Sequence, residues 1–159
     1  MLHSIKRGLD IPISGQPAQD IKPGPEIRSA ALLGDDYIGM RPTLLVQPGD
    51  RVQLGQQIFA DKKTPGVVYT SPGAGTVRDI VRGEKRKFLS MIIDLEGDGE
   101  VTFDAHDNVG DLSREAVTKQ LVEAGLWPSL RTRPFSRVPE PGTEPHSIFV
   151  TAMDTNPLA

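Results

Sequence analysis

The sequence predicts a mainly β domain followed by the beginning of an α/β domain. Two segments, VQPGDRVQLGQ at residues 46–56 and SPGAGTV at 71–77, place Gly, Pro and Asp in tight turns beside β-branched residues. Such turns are typical of strand–turn–strand corners. The chain of 159 residues contains 16 glycines and 14 prolines but only 5% aromatic residues. Because the glycines and prolines separate short apolar runs, this composition indicates a turn-rich β protein rather than a disordered one.

Short apolar runs predict the strands up to residue 104. A strand over residues 8–15 contains Pro12, which restricts it to a sheet edge or to the start of a strand. Further strands are expected at residues 27–33, 43–46, 58–60, 66–70, 76–81 and 88–95. The last two form a hairpin through a basic turn at 82–87, which we interpret as solvated rather than as a binding patch.

The two corners together resemble those of barrel-sandwich hybrid domains, the fold of biotinyl and lipoyl carrier domains. The resemblance implies that residues 1–104 form a β barrel-sandwich-like domain with an N-terminal extension. In carrier domains the modified lysine lies at a hairpin tip between the corners, where this chain has Lys62 and Lys63. The hairpin is longer than in lipoyl domains, and no methionines flank the lysines as in biotinyl domains. We therefore interpret them as a solvated pair, with a lipoyl- or biotinyl-type carrier or docking domain as the alternative.

The pattern changes near residue 105 and predicts a helix over residues 113–124. Ser113 is a favourable N-cap, and Val117 and Leu121 share one helical face, which we expect to be buried. Gly125 follows the last apolar residue of this face and is expected to end the helix.

Residues 105–159 as a whole are expected to form a helix, a loop and the first strand of an incomplete α/β domain. The apolar run at residues 147–151 predicts that strand, in a buried position. A single strand cannot complete a parallel sheet. We therefore expect the chain to be the N-terminal piece of a longer protein.

Composition and charge exclude several classes of function. The formal net charge is −3 and the basic residues form no long block, which argues against a nucleic-acid surface. The absence of cysteine excludes disulfides, Cys-based zinc sites and iron–sulfur ligation. His3, His106 and His146 lack the spacing of metal ligands. No apolar run is long enough for a transmembrane helix and no signal peptide is recognisable, so we expect a cytosolic-type chain.

Several unusual strings resemble the A subunits of the Na⁺-translocating NADH:quinone oxidoreductases of bacterial inner membranes, and the likeness runs from end to end. The strings are KRGLDIPISG at residues 6–15, ALLG at 31–34, GMRP at 39–42, DKKTPG at 61–66, GEKR at 83–86, GLWPSLRTRPFS at 125–136 and FVTAMDTNPLA at 149–159. Chains of that family are normally more than twice as long, which agrees with the expectation of a longer protein.

This family is related in architecture to the electron-transport C subunits of Rnf complexes and to the NADH-binding subunit of respiratory complex I. In those relatives a glycine-rich loop binds flavin phosphates through backbone N–H groups. The corresponding segment, residues 125–136, carries Trp127, Arg131 and Phe135 in place of glycines. Because such side chains prevent close approach of a phosphate, we expect no tight flavin or NADH binding, no covalent cofactor and no metal in this chain. The resemblance implies that NADH and flavin bind to other subunits.

The resemblance further implies a peripheral subunit on the cytoplasmic face of the inner membrane. It would interact with ubiquinone and dock on the membrane-embedded, quinone-proximal subunit of the sodium-pumping complex. A quinone headgroup requires a flat apolar slot and donors to its carbonyl oxygens. The candidates are Leu32, Leu33 and Met40 as apolar walls, Phe135 as a stacking face, and Tyr37 and Arg133 as donors. No catalytic residue is recognisable, so we expect the isolated chain to be inactive. The segment 125–136 has a second interpretation, packing and ion pairing between domains.

Overall fold

Short strands form most of the regular structure in the part of the chain that the structure, a computed structural model, describes: residues 14, 15, 18 and 20–150. The strands are β1 (Ser29–Leu33), β2 (Pro42–Leu44), β3 (Arg51–Val52), β4 (Gln57–Asp61), β5 (Val68–Thr70), β6 (Gly75–Arg82) and β7 (Phe88–Leu95), and the helix is α1 (Arg114–Glu123). One sheet has the order β1-β7-β6-β3 and the other the order β2-β4-β5, with antiparallel neighbours throughout.

The strand and corner predictions between residues 27 and 95 are confirmed. Gly49 has a φ of +96° at the first corner, where the Asp50 N–H donates to the carbonyl oxygen of Gln47 at 3.1 Å. The only helical segment described between residues 44 and 95 is a single 3₁₀ turn, Glu84–Arg86. The strand expected at residues 8–15 lies outside the described residues, apart from Ser14 and Gly15.

The second corner depends on a glycine at the start of β6. Gly75 pairs with Leu95 of β7 on one side and with Val52 of β3 on the other. A Cβ atom at this position would lie 1.9 Å from the carbonyl oxygen of Asp94. Because this contact is with backbone, which a side chain cannot displace cheaply, only glycine allows β6 to pair here on both edges.

The core lies between the two sheets and interrupts the alternation of β4. Ile58 and Phe59 are consecutive, yet both are fully buried, because the register of β4 against β5 shifts between Gln57 and Phe59. Phe59 reaches Phe88 of the other sheet, with 5.4 Å between ring centroids. The remaining fully buried large side chains are Met91, Ile93, Val67 and Val77.

Helix α1 begins and ends as predicted. The Ser113 hydroxyl accepts a hydrogen bond from the Ala116 N–H at 3.2 Å. At the other end Gly125 has a φ of +69°, and the Gly125 and Leu126 N–H groups donate to the carbonyl oxygens of Val122 and Leu121. These two bonds form a Schellman motif, which stops the helix.

The prediction that Val117 and Leu121 are buried was too strong, because both side chains are half-exposed. Leu121 and its neighbour Val122 are partly buried and pack against the β core. The helix therefore contributes a partial cover to the core, not a second hydrophobic centre.

The chain divides into two units, one of which comprises residues Glu26–Glu144. The expected domain boundary at residues 104–105 falls inside this unit, which contains both sheets and α1. The other unit contains Pro145–Ala159, and here the strand prediction for residues 147–151 was wrong in its described part. Residues 147–150 have no strand structure, and Phe149 is 86% exposed. A strand requires a neighbour for its backbone hydrogen bonds, and no described strand pairs with this segment.

The N-cap of α1 gives a direct test of the helix assignment. Ser113→Ala removes the acceptor for the Ala116 N–H and is expected to lower the free energy of unfolding by about 1 kcal/mol. Ser113→Asp, which keeps an acceptor and places a negative charge at the helix N-terminus, should retain the stability of the parent chain. Urea unfolding monitored by circular dichroism measures both; equal losses in the two variants would contradict the capping role.

Candidate functional site

A cleft of about 270 Å³ lies on the Glu26–Glu144 unit, beside the sheet formed by β2, β4 and β5. Residues from three chain segments and Tyr69 of β5 enclose it. Its lining comprises residues 37–40, Asp61, residues 63–64, Tyr69, residues 137–138 and Glu140. The volume lies just below the usual range of ligand pockets, about 300–1,000 Å³, and leaves room for one substituted ring.

The first wall is the loop that leaves β1. This loop passes directly over β7, since a Cβ atom at Gly34 would lie 2.4 Å from the Phe88 carbonyl oxygen. The Met40 N–H then donates to the Tyr37 carbonyl oxygen at 3.1 Å, which closes a turn. The Tyr37 and Met40 side chains pack against the core and line the cleft. The loop therefore brings an aromatic ring and a thioether to one side of the cleft.

Asp61 holds this first loop to the turn between β4 and β5. Its buried carboxylate accepts hydrogen bonds at Oδ1 from the N–H groups of Arg41, at 3.0 Å, and Lys63, at 2.9 Å. The Lys62 N–H donates in turn to the Arg41 carbonyl oxygen at 2.8 Å. One carboxylate thus fixes two walls of the cleft relative to each other.

Tyr69 is the most deeply buried polar side chain in the cleft lining, with 2% of its surface exposed. Its ring stacks on Phe59, with centroids 4.7 Å apart, and meets the edge of Tyr37 at 4.5 Å. Among the described residues, its hydroxyl group has no hydrogen-bond partner. Burial raises the pKa of Tyr69 above 10, and the negative charge of Asp61 raises it further. The phenol is therefore a neutral donor at physiological pH.

The third wall follows α1 and is held by a buried tryptophan. Trp127 packs in the core, and its indole N–H donates to the Pro139 carbonyl oxygen at 2.8 Å. Before that point the chain makes a tight loop, in which the Thr132 N–H donates to the Arg137 carbonyl oxygen at 2.8 Å. Arg131 lies over the Tyr37 ring, 5.4 Å from its centroid, which is within the range of a cation–π contact.

The structure brings together only part of the set of residues proposed from the sequence. Tyr37 and Met40 line the cleft, and Leu32 packs half-buried against the core behind it. Leu33 is 48% exposed at the end of β1 and does not line the cleft. Arg133 and Phe135 also lie outside the lining, and Phe135 is 70% exposed in the tight loop.

The sequence reasoning missed most of the other lining residues, of which Asp61, Tyr69 and Arg137 are the most important here. Arg137 enters the cleft where Arg133 was expected, because the loop folds back at Thr132 and directs its later residues toward the sheet. A signal existed for Tyr69, which is the only aromatic residue in the run 66–70. Its position in an alternating strand indicated a buried side chain, but nothing in the sequence indicated an unpaired hydroxyl group.

The charges that line the cleft are balanced. Asp61 and Glu140 carry negative charge, and Lys63 and Arg137 carry positive charge. The described residues contain no group of three or more His, Asp or Glu side chains that could hold a metal ion. The lining favours a neutral, ring-shaped ligand with an acceptor oxygen.

No helix in the described part of the chain has the length and hydrophobicity needed to cross a membrane.

The two sheets and their corners define a protein with a barrel-sandwich domain, and the small cleft lies beside the sheet formed by β2, β4 and β5. Comparison with protein families gives two matches: the NqrA N-terminal barrel-sandwich hybrid domain at residues 3–96, and the NqrA second alpha/beta domain at residues 112–159. The chain therefore belongs to the NqrA family, that of the A subunits of the Na⁺-translocating NADH-quinone reductases. The expectation of a barrel-sandwich hybrid followed by the start of an α/β domain is confirmed.

The similar proteins found by comparison are A subunits of the Na⁺-translocating NADH-quinone reductase. The chain is 57% identical to the A subunit of the Na⁺-translocating NADH-quinone reductase of Rhodopirellula baltica. It is 55% identical to that of Cellvibrio japonicus and 57% identical to that of Photorhabdus laumondii. Each comparison covers 98% of this chain and 35% of the relative, so the chain spans about a third of the length of the curated relatives it matches.

The tyrosine environment can be tested by titration, because Tyr37 and Tyr69 are the only tyrosines in the sequence. Burial raises the pKa of both phenols above 10. The folded chain therefore holds both phenol protons more tightly than the unfolded chain. The resulting stabilisation is complete below pH 10 and is lost as the pH rises through the pKa values of the two tyrosines in the folded chain. We expect phenolate absorbance to appear at higher pH in the folded chain than in urea, with a falling free energy of unfolding above pH 10. Coincident titration curves would contradict the burial of Tyr69.

Proposed function

We propose that this chain is part of a peripheral subunit of a sodium-translocating NADH:ubiquinone reductase and that the cleft accepts the headgroup of the quinone. The observation that carries the proposal is the coincidence, in one small cleft, of apolar walls, balanced charges and an unpaired buried donor. Met40 and Val138 supply apolar surface, and Tyr69 supplies the donor. A quinone headgroup is a flat neutral ring with two acceptor oxygens and matches these properties.

The names of the relatives support the same ligand class. They are subunits of an enzyme that, by its name, transfers electrons from NADH to a quinone. The two loops that contain the candidate quinone residues from the sequence, 31–42 and 125–136, are adjacent in the structure through the Arg131–Tyr37 contact. NADH and flavin are proposed to bind to other subunits, because the segment 125–136 lacks the glycines of a phosphate-binding loop.

Docking on the membrane-embedded, quinone-proximal subunit is proposed to involve the tight loop that contains Arg133 and Phe135. The loop is fixed at its base by the Thr132–Arg137 hydrogen bonds, so Phe135 is exposed on a rigid support. Between Glu123 and Glu140 the chain carries three arginines and no acidic residue. A rigid aromatic side chain with arginines beside it is typical of a protein–protein contact. The position of the subunit on the cytoplasmic face of the inner membrane is proposed from the resemblance alone.

The carrier alternative is supported by one observation. Lys62 and Lys63 are exposed in the turn between β4 and β5, the position of the modified lysine in carrier domains. Lys63, however, lines the cleft, and its N–H is bound to Asp61. The intact mass of the natively expressed protein separates the two functions: an added lipoyl or biotinyl group would establish a carrier, and an unmodified mass would exclude one.

Photoaffinity labelling with a ubiquinone analogue tests whether quinone binds in the cleft, and it distinguishes this site from one on the loop that contains Arg133 and Phe135. We expect the probe to label residues 37–40 or 137–140, and Arg137→Ala to reduce labelling severalfold because it removes one wall of the cleft. The sequence prediction also assigns headgroup contacts to Arg133 and Phe135, so Arg133→Ala and Phe135→Ala are compared in the same experiment. Lys62→Ala, outside the cleft lining, serves as the control.

The pattern of losses decides between the two positions. Reduced labelling in Arg137→Ala alone places the headgroup in the cleft. Reduced labelling in Arg133→Ala and Phe135→Ala alone places it on the outer loop and contradicts the cleft. Labelling that excess unlabelled quinone does not displace would contradict specific binding altogether.

A further inference from the structure

The Tyr69 hydroxyl group makes no hydrogen bond with any described residue of the barrel. Buried polar groups in proteins nearly always have a hydrogen-bond partner, because an unpaired donor loses its interaction with water without compensation. Tyr69 is 2% exposed, and within the described residues its hydroxyl oxygen is the only buried side-chain nitrogen or oxygen without a partner. Phenylalanine would supply the same stacking on Phe59 without that cost.

The neighbouring polar groups do not relieve this deficit. Asp61 is the charged group with the largest effect on the phenol, but its Oδ1 atom already accepts hydrogen bonds from the N–H groups of Arg41 and Lys63. Burial, and to a lesser extent the Asp61 carboxylate, raise the pKa of Tyr69, so the phenol stays protonated. The hydroxyl group is therefore held as a donor, beside a cleft whose net charge is zero.

We propose that Tyr69 donates a hydrogen bond to one carbonyl oxygen of a quinone headgroup in the cleft and thereby selects ligands with a ring carbonyl. This inference rests on the proposed function of the cleft and assigns its specificity to one atom. The Tyr37 ring packs against Tyr69 in a T-shaped contact and lies under Arg131, so it would form the adjacent wall around the bound quinone ring. A quinone bound there gives the buried hydroxyl group its missing acceptor.

The assignment implies opposite effects of one substitution on stability and on binding. Tyr69→Phe removes only the hydroxyl group, so the ligand-free chain should unfold at the same or a higher temperature than the parent. Its dissociation constant for a short-chain ubiquinone should rise about tenfold, which is the loss expected for one hydrogen bond in a buried site. Lys62→Ala should alter neither property, because Lys62 is exposed and does not line the cleft.

The experiment is a titration of the parent chain, Tyr69→Phe and Lys62→Ala with 2,3-dimethoxy-5-methyl-1,4-benzoquinone, followed by quenching of Trp127 fluorescence. Trp127 is the only tryptophan in the sequence and is bonded to the Pro139 carbonyl oxygen beside the cleft. A second titration uses 2,3-dimethoxytoluene, which lacks both carbonyl groups. The parent chain should prefer the quinone, and Tyr69→Phe should lose about tenfold of that preference. Because each comparison is made within one protein, the preference does not depend on how much of each preparation is active.

The outcomes separate this inference from the proposed function. Quinone binding by the parent chain with an unchanged dissociation constant in Tyr69→Phe would overturn the hydrogen bond and leave the cleft as the site. Failure of the parent chain to bind quinone up to its solubility limit would overturn the proposed function and, with it, the role of Tyr69. A lower melting temperature of Tyr69→Phe without quinone would also contradict the inference, since it would mean that the hydroxyl group stabilises the fold.

Discussion

The contacts of Phe59 with Phe88 of the other sheet and with Tyr69 of its own sheet link the core of the barrel to the cleft. Phe59 is fully buried between the sheets and meets Phe88 of the larger sheet on one side and Tyr69 of the smaller sheet on the other. Tyr69 in turn meets Tyr37 of the first loop, over which Arg131 of the third wall lies. A continuous chain of aromatic contacts therefore connects the core with two walls of the cleft, and the packing that stabilises the fold also sets the shape of the site.

Much of the fold could be predicted from local patterns. The corner at Gly49, the hairpin of β6 and β7 and the capped helix after Ser113 all depend on residues close together in the sequence, and each formed as expected. Features that depend on distant partners were not accessible in this way. The burial of both Ile58 and Phe59 results from a register shift against β5, which alternation cannot reveal. The strand expected at 147–151 failed in its described part, because periodicity identifies an apolar segment but not its partner.

The site was predicted less well than the fold for a physical reason. The resemblance identified the two loops, and Tyr37 and Met40 do line a cleft. Which residues of the second loop face it depends on where the chain reverses, and the Thr132–Arg137 pairing turns Arg133 and Phe135 outward. The contribution of Asp61 was equally hidden, since its carboxylate acts by joining two backbone segments 20 residues apart along the chain. Polar contacts over such separations follow from the tertiary fold.

The central claim, that a quinone headgroup enters the cleft beside the aromatic contacts, is tested most directly by methyl NMR with ¹³C-labelled methionine. The sequence has four methionines, of which Met40 lines the cleft and Met91 is fully buried in the core. On addition of a short-chain ubiquinone, the Met40 methyl resonance should shift in a saturable manner, because an aromatic-sized ring lies against it. The Met91 resonance should change little. Saturable binding without a change at Met40 would place the ligand elsewhere and contradict the account.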